Sequence, residues 1–530
     1  MKKFLMMVAL VLSFGFSAVA DSNEELQKLT HAVYFTSHYY VDSVKMSKLV
    51  DDAIVGMLEQ LDPHSSYIPK EEVQKMNEPL EGSFDGIGVQ FQMVEDTLLV
   101  VQTISGGPSE KVGIVAGDRI VYVNDTTIAG VKMQNTDIMH KLRGPKGTTV
   151  NVKVLRRGVK NLIDFRIVRD KIPVYSLDAS YMVDDKIGYI KVNRFSATTI
   201  DEFNEALSKL KKEGMESLIL DLQGNGGGYL TAAVALADHF LQSGRLITYT
   251  EGNAQSRLTY EATSKGDFEK GDLVVLIDEN SASASEIVSG ALQDWDRAML
   301  VGRRSFGKGL VQKPIELPGG AQIRLTIARY YTPTGRCIQR PYKEGTKQYR
   351  RDLIERYNHG ELMHEDSIVF PDSLKYKTLS MRRVVYGGGA IMPDVFIPLD
   401  TTRYTDYHRN LVAKGAMNKA VLNYVEANRK DIMRNYPRFE KYNKTFEVTD
   451  AMLKELTDLG EKEEVKFNEE EFAKSKELLR LQMKALIARD IWKTNEYFQI
   501  MNANNDSYLK AIELLRDKNL YQKSFVKRKE

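Results

Sequence analysis

Cysteine is almost missing from this 530-residue chain: Cys337 stands alone, so no intramolecular disulfide can form and stability must come from packing. No CxxC or HExxH pattern occurs, which leaves a metal site without support in the sequence, and no His lies near Cys337 to make it a nucleophile. Net charge is nearly absent too. The balance is +2, and clusters such as Arg350-Arg351 or Lys523, Lys527, Arg528 and Lys529 are short enough to read as solvated surface. Nothing in that balance argues for nucleic acid as a partner. Beyond residue 20 no apolar run approaches the roughly 20 residues of a membrane span.

What is present begins at the N-terminus. Lys2 and Lys3, an apolar run from Phe4 to Phe16, and Ala18-Val19-Ala20 before Asp21 predict a secretory signal over residues 1–20, with an uncleaved anchor as the alternative, and export to the periplasm or cell envelope. Residues 21–80 carry helical spacing in two blocks (Leu26, Leu29, Val33; then Val44 to Leu61), the second stopped by Pro63. Asp62 and His64 beside that proline read as a turn with side-chain caps rather than as an acid–base pair. Residues 81–172 alternate short β-branched runs with Gly and Asp turns, as in a small β-barrel-like domain with two helices. From 173 to 398 strands alternate with helices, which predicts an α/β core, interrupted by a polar insertion at about 341–372. Residues 399–530 are helical again, as in Leu479, Met483, Leu486 and Ile487.

Four segments can carry chemistry. Ser283 follows the apolar run Leu273–Ile277 and opens a helix, where the N–H of Ala284 faces outward and developing negative charge is favoured. Ser281 and Ser285 compete with it, and a plain N-cap role competes with catalysis. Lys308 lies 25 residues further on, between Gly307 and Gly309 and among Phe306, Leu310 and Val311. Desolvation there would lower its pKa and let it take a serine proton. Gln312 is placed to orient that amine. The turn Asp221-Leu222-Gln223-Gly224-Asn225-Gly226-Gly227-Gly228 lacks the Lys-Ser/Thr of a Walker loop and the GxGxxG spacing, so its better use is a second oxyanion N–H from Gly227 or Gly228. Phe84-Asp85-Gly86-Ile87-Gly88-Val89 can present backbone N–H groups to a peptide carboxylate ahead of an edge strand, or be a mere hairpin turn.

Together these motifs resemble the C-terminal processing peptidases, or tail-specific proteases, over residues 50–395. The resemblance implies a crotonase/ClpP-like α/β peptidase core, an inserted PDZ domain at 81–172 with Gly86, Ile87, Gly88 and Val89 as its carboxylate loop, and helical ends. It implies Ser283 as nucleophile, Lys308 as general base, Gln312 as orienting residue and the N–H groups of Ala284 and Gly227 or Gly228 as the oxyanion hole. No cofactor is implied. The substrates implied are unfolded polypeptides with free, apolar C-termini, with Arg143 as a sensor contact in the PDZ domain. The helical ends suggest a homodimer, as in relatives, and the need for an activating partner stays open. Gln223 departs from the family, where Arg is usual, and puts the support of the glycine turn in doubt. The rival readings are an inactive PDZ scaffold that binds C-termini, and an acyl-CoA enzyme on a crotonase-like core. The latter would need neither Lys308 nor a PDZ domain.

Overall fold

The computed structural model describes residues 23–526, so the expected signal at 1–20 lies outside the described residues. The chain divides into two compact units. The first takes the described residues up to Val73 with Gln312–Thr326 and Tyr342–Arg350; the second takes Gln74–Val311, Ile327–Pro341 and Arg351 onward.

In the first unit helices span 23–39 and Met46–Glu59. Pro63 ends the second as expected, and Asp62 closes the turn. One carboxylate oxygen accepts the N–H groups of His64 (2.8 Å) and Ser65 (2.9 Å), and the other accepts the Ser65 hydroxyl (2.6 Å). Strand Ser66–Ile68 then pairs antiparallel with residues 322–324.

The second unit contains a small barrel. Strands Val89–Val94, Thr97–Thr103, Arg119–Val123, Thr149–Leu155 and Ile163–Val168 follow one another in the sheet, and Thr126–Thr127 pairs with the third. Strict alternation buries Val150, Val152 and Val154 of the fourth strand. They pack with Ile87, Leu98, Ile120 and with Ile138 and Leu142 of helix Asn135–Leu142. Strand Val89–Val94 is an edge, which leaves its outer backbone groups open to a further strand. Segments Ser83–Gly86 and Asp170–Pro173 pair antiparallel and draw the domain's entry and exit together.

The larger body is built on six strands in the order Leu177–Met182, Ile187–Val192, Ser217–Asp221, Leu273–Ile277, Met299–Gly302, Val395–Phe396. The first pair is antiparallel and the others parallel. The run Leu-Val-Val-Leu-Ile at 273–277 is continuously apolar because both of its faces are covered. Leu273, Val275 and Ile277 meet helices Thr199–Lys212, Leu230–Asp238 and Ala284–Asp294. Val274 and Leu276 face Tyr508, Leu514, Leu515 and Phe525 of the two last helices, Asp506–Arg516 and Lys518–Val526. The helical tail thus supplies half the cover of the central sheet. Its remaining helices form a core of their own around Leu411, Val421, Leu456 and Leu486.

The insertion contains helix Thr346–Asn358, which the sequence reading did not anticipate. The hairpin Leu246–Gly252 with Gln255–Glu261 was missed as well.

Candidate active site

Strand Leu273–Ile277 delivers the chain to a turn fixed by its own side chains. Asp278 Oδ1 accepts the N–H groups of Gly224 (2.9 Å), Asn280 (3.0 Å) and Ser281 (3.1 Å). The Ser281 hydroxyl donates to the Leu222 carbonyl (2.8 Å) and that of Ser285 to the Asn225 carbonyl (2.9 Å); both serines are fully buried. Of the three competing serines, only Ser283 is partly exposed. Its backbone sits at φ 55°, ψ −111°, outside the regions that L-residues favour, at a cost of ~1–3 kcal/mol.

Glu286 holds that strained residue. Its carboxylate is wholly buried one turn into helix Ala284–Asp294 and is met by four donors. Oε2 accepts the N–H of Ser283 (2.8 Å) and the N–H of Lys308 (2.9 Å). Oε1 accepts the N–H of Gly307 (2.7 Å) and the hydroxyl of Ser305 (2.5 Å). One carboxylate oxygen therefore ties the Ser283 backbone to the Lys308 backbone. Burial pushes the Glu286 carboxyl up to about 7 against the pull of these hydrogen bonds. A second bridge comes from Tyr330, whose buried hydroxyl lies within hydrogen-bonding reach of the carbonyls of Ser283 (3.1 Å) and Lys308.

The lysine segment is fixed along its length. Ser305 N–H donates to the Ile391 carbonyl (3.0 Å), Phe306 N–H to the Ser281 carbonyl (2.9 Å) and Gly309 N–H to Gln339 Oε1 (2.8 Å). Lys308 itself is half-buried, next to buried Leu310. Gln312 falls in the first unit, where its Nε2 donates to the His64 carbonyl, and the His64 ring meets the Tyr349 hydroxyl at 2.8 Å.

The glycine turn lies against Ser283. A Cβ on Gly227 (φ 102°) would stand 2.8 Å from both the Ala282 carbonyl oxygen and Ser283 Cβ, and 3.1 Å from the Ala284 nitrogen. Only glycine allows that approach. The two candidate donors separate here. Gly227 N–H is taken by Asn225 Oδ1 (2.8 Å). Gly228 bridges Phe195 in the parallel sense through its neighbours, Phe195 N–H to Gly227 O (3.0 Å) and Tyr229 N–H to Phe195 O (2.8 Å). The N–H of Gly228 itself takes no part in that bridge. Asn225 organises all of this from a fully buried position, with Nδ2 on the Val192 carbonyl (2.8 Å) and its own carbonyl accepting Ala282 N–H (3.0 Å).

Support for the turn at Gln223 comes from elsewhere than an arginine. Lys191 Nζ donates to the Gln223 carbonyl (2.9 Å) while paired with Asp221 (3.2 Å), and Asn505 Nδ2 donates to Gln223 Oε1 (2.9 Å). Asn505 is the N-cap of tail helix Asp506–Arg516.

In the barrel domain Ile87 points into the core, and Gly88 (φ 74°) lies under Ile172 and Pro108. Between the end of strand Val89–Val94 and the start of helix Asn135–Leu142 opens a cavity of about 450 Å³ lined by Met93, Asp96, Lys132, Met133 and Thr136. Arg143 is paired with half-buried to buried neighbours: Nη1 is 2.6 Å from Glu78, and the guanidinium lies 4.2 Å over the Phe84 ring. Burial raises the Cys337 thiol, the wrong direction for a nucleophile.

Glu286, Asn225, Tyr330 and Asn505 escaped the sequence reading. Only Glu286 had a signal, the Ser-x-x-Glu spacing of a capping box.

The site thus joins a strained serine at a helix start to a lysine segment through one carboxylate, in a chain that also carries a small sheet domain with an edge strand. Residues 186–347 match Peptidase family S41, residues 86–167 a PDZ domain, residues 13–72 the activating protease CtpB N-terminal domain, and residues 407–493 a family of unknown function (DUF8443). The carboxy-terminal-processing protease of Bartonella bacilliformis is 38% identical over 305 residues, which cover 57% of this chain and 69% of that protein. The carboxy-terminal processing proteases CtpA and CtpB of Bacillus subtilis are 35% and 34% identical, covering 63% and 62% of this chain and 70% and 69% of their own lengths. The chain belongs to the carboxy-terminal-processing protease family and is a serine-type endopeptidase.

Proposed function

We propose that the enzyme captures the free C-terminus of an unfolded, exported polypeptide in its PDZ domain and cleaves upstream with Ser283 as nucleophile and Lys308 as general base. The observation that carries this reading is the single Glu286 oxygen shared by the Ser283 and Lys308 N–H groups. The tail carboxylate meets the Gly86-Ile87-Gly88-Val89 loop, and the peptide adds along edge strand Val89–Val94. Ser283 Oγ attacks the scissile carbonyl while Lys308 Nζ takes its proton, and Ala284 and Gly228 N–H hold the oxyanion. Lys308 returns the proton to the leaving amine, then activates the water that hydrolyses the acyl-enzyme. Arg143 exchanges Glu78 for contacts that report an occupied groove.

The same proposal places the enzyme in the cell envelope, as a homodimer through its helical ends, with an activating partner. Leu26, Leu29, Phe35 and Tyr39 of helix 23–39 are all more than half exposed, an apolar surface that a second copy would cover. Fractionation of cells tests the location, and light scattering of the purified chain tests the dimer.

The deciding experiment incubates residues 21–530, as wild type, Ser283→Ala and Lys308→Ala, with an unfolded polypeptide bearing an apolar tail as free carboxylate or amide. Cleavage by wild type alone, faster on the carboxylate, is expected by mass spectrometry. Carboxylate-dependent binding without cleavage by any of the three would favour the scaffold reading.

A further inference from the structure

The segment that carries Lys308 is held on its far side by the polar insertion. Arg356, in the last turn of helix Thr346–Asn358, is 3% exposed, and its guanidinium forks onto two consecutive carbonyls, Arg304 (2.8 Å) and Ser305 (3.0 Å). Glu361, just beyond the helix, lies 3.5 Å from Arg356 and 3.2 Å from Arg304, and balances the two buried cations. A second tether runs through Asp352 of the same helix, which pairs with Arg340. Arg340 in turn stacks its guanidinium 4.0 Å over Phe306, and its backbone N–H donates to the Gly307 carbonyl (3.0 Å).

We propose that Arg356 is a positioning residue for Lys308: the insertion helix fixes the Arg304–Ser305 carbonyls so that the following turn presents the lysine at a fixed height above Ser283. The inference rests on Lys308 being the general base. Two features support it. Glu286 accepts the hydroxyl of Ser305 and the N–H groups of Gly307 and Lys308, and as a carboxylate it can give nothing to the carbonyls of Arg304 and Ser305, which Arg356 supplies with donors. A guanidinium offers its N–H groups in a rigid fork that satisfies two adjacent carbonyls at once. The Arg356 side chain also remains charged at neutral pH, since burial lowers it only to about 10. The match to Peptidase family S41 ends at residue 347, ahead of Arg356.

The test compares wild type, Arg356→Gln, Arg356→Lys and Lys308→Ala in steady-state cleavage of a free-tailed peptide, with thermal unfolding of each. Arg356→Gln is expected to lower kcat ~10- to 100-fold, the scale of a displacement of about 1 Å, with KM within about twofold. Arg356→Lys, which keeps the charge and one hydrogen bond, is expected to regain part of the loss. The proposal is overturned if Arg356→Gln keeps wild-type kcat, if its loss matches a lowered folded fraction, or if Lys does no better than Gln. An active Lys308→Ala would instead overturn the underlying assignment of the base, independently of Arg356.

Discussion

Glu286→Gln tests whether one buried carboxylate assembles the site. Glutamine keeps the shape and one acceptor oxygen. With that oxygen in the place of Oε2, the Ser283 and Lys308 N–H groups remain satisfied, and the new amide faces Ser305 and Gly307. The Ser305 hydroxyl already accepts Ile391 N–H (2.7 Å) and can turn to accept a second donor, but Gly307 N–H cannot. At least one buried donor is therefore orphaned, at a cost of ~1–3 kcal/mol. Expressed in the transition state, that is a fall in kcat of about 5- to 150-fold.

The orphaned donor also costs folding stability, and the titration of Glu286 makes the difference between variant and wild type depend on pH. The rise of the Glu286 carboxyl from an ordinary 4.5 to about 7 is worth ~3 kcal/mol, disfavouring the charged form in the fold. Because the folded value is the raised one, this stability is fully present below pH 4.5 and is lost as pH rises through 7. Glutamine does not titrate and escapes that loss. The variant should thus gain stability relative to wild type between pH 5 and pH 8 while losing kcat at pH 8. Calorimetry at both pH values and cleavage of a fluorogenic, free-tailed peptide measure the two effects. Wild-type kcat in Glu286→Gln, or the same stability difference at pH 5 and pH 8, would refute the reasoning.

Gly227→Ala forces a methyl group to within 2.8 Å of the Ala282 carbonyl oxygen and Ser283 Cβ, so kcat should drop by at least ~100-fold with peptide binding to the PDZ domain retained by calorimetric titration. Asn505→Ala removes both a helix cap and the donor to Gln223, and should cost ~1 kcal/mol in thermal unfolding. Combined with Gln223→Ala it should show a coupling of about 1 kcal/mol in kcat/KM; strict additivity would sever the tail from the glycine turn. Leu422 of tail helix Ala416–Asn435 packs on Leu99 and Val101 of the barrel, beside a bidentate Arg119–Glu426 pair (3.1 Å to each oxygen). Leu422→Ala should destabilise that contact by ~2–3 kcal/mol and speed amide exchange in strand Thr97–Thr103; unchanged protection would mean that the tail does not hold the barrel.

Those elements whose register is written in side-chain periodicity were legible without coordinates. Val150, Val152 and Val154 alternate, and Phe203, Leu207 and Leu210 recur at helical spacing; each set is buried as its pattern demands. The serine and lysine segments were legible for a different reason, because glycine, serine and lysine at those spacings have few joint uses. What stayed hidden depends on pairs distant in sequence. Tyr330 reads as one more strand residue until its hydroxyl is seen between the Ser283 and Lys308 carbonyls. Helix Thr346–Asn358 has no buried apolar stripe to announce it. Its contacts run through buried Tyr349 and through Arg356 and Asp352, whose partners no local pattern reveals.

Gln223 links the tail to the glycine turn. A long cation at that position could brace the turn by itself. Glutamine is shorter and uncharged, so the brace must come from outside, and it does so from two directions. Lys191 reaches the backbone carbonyl from the end of strand Ile187–Val192, and Asn505 reaches the side chain from the cap of a tail helix. That same helix covers Val274 and Leu276 on the back of the sheet whose front face packs against the serine-bearing helix. Displacing the tail would therefore uncover the central strand and release the glycine turn together. A chain truncated before residue 494 should then lose folding and cleavage as a single event. A truncated chain that stayed folded and active would show that the turn's support lies in Lys191 alone.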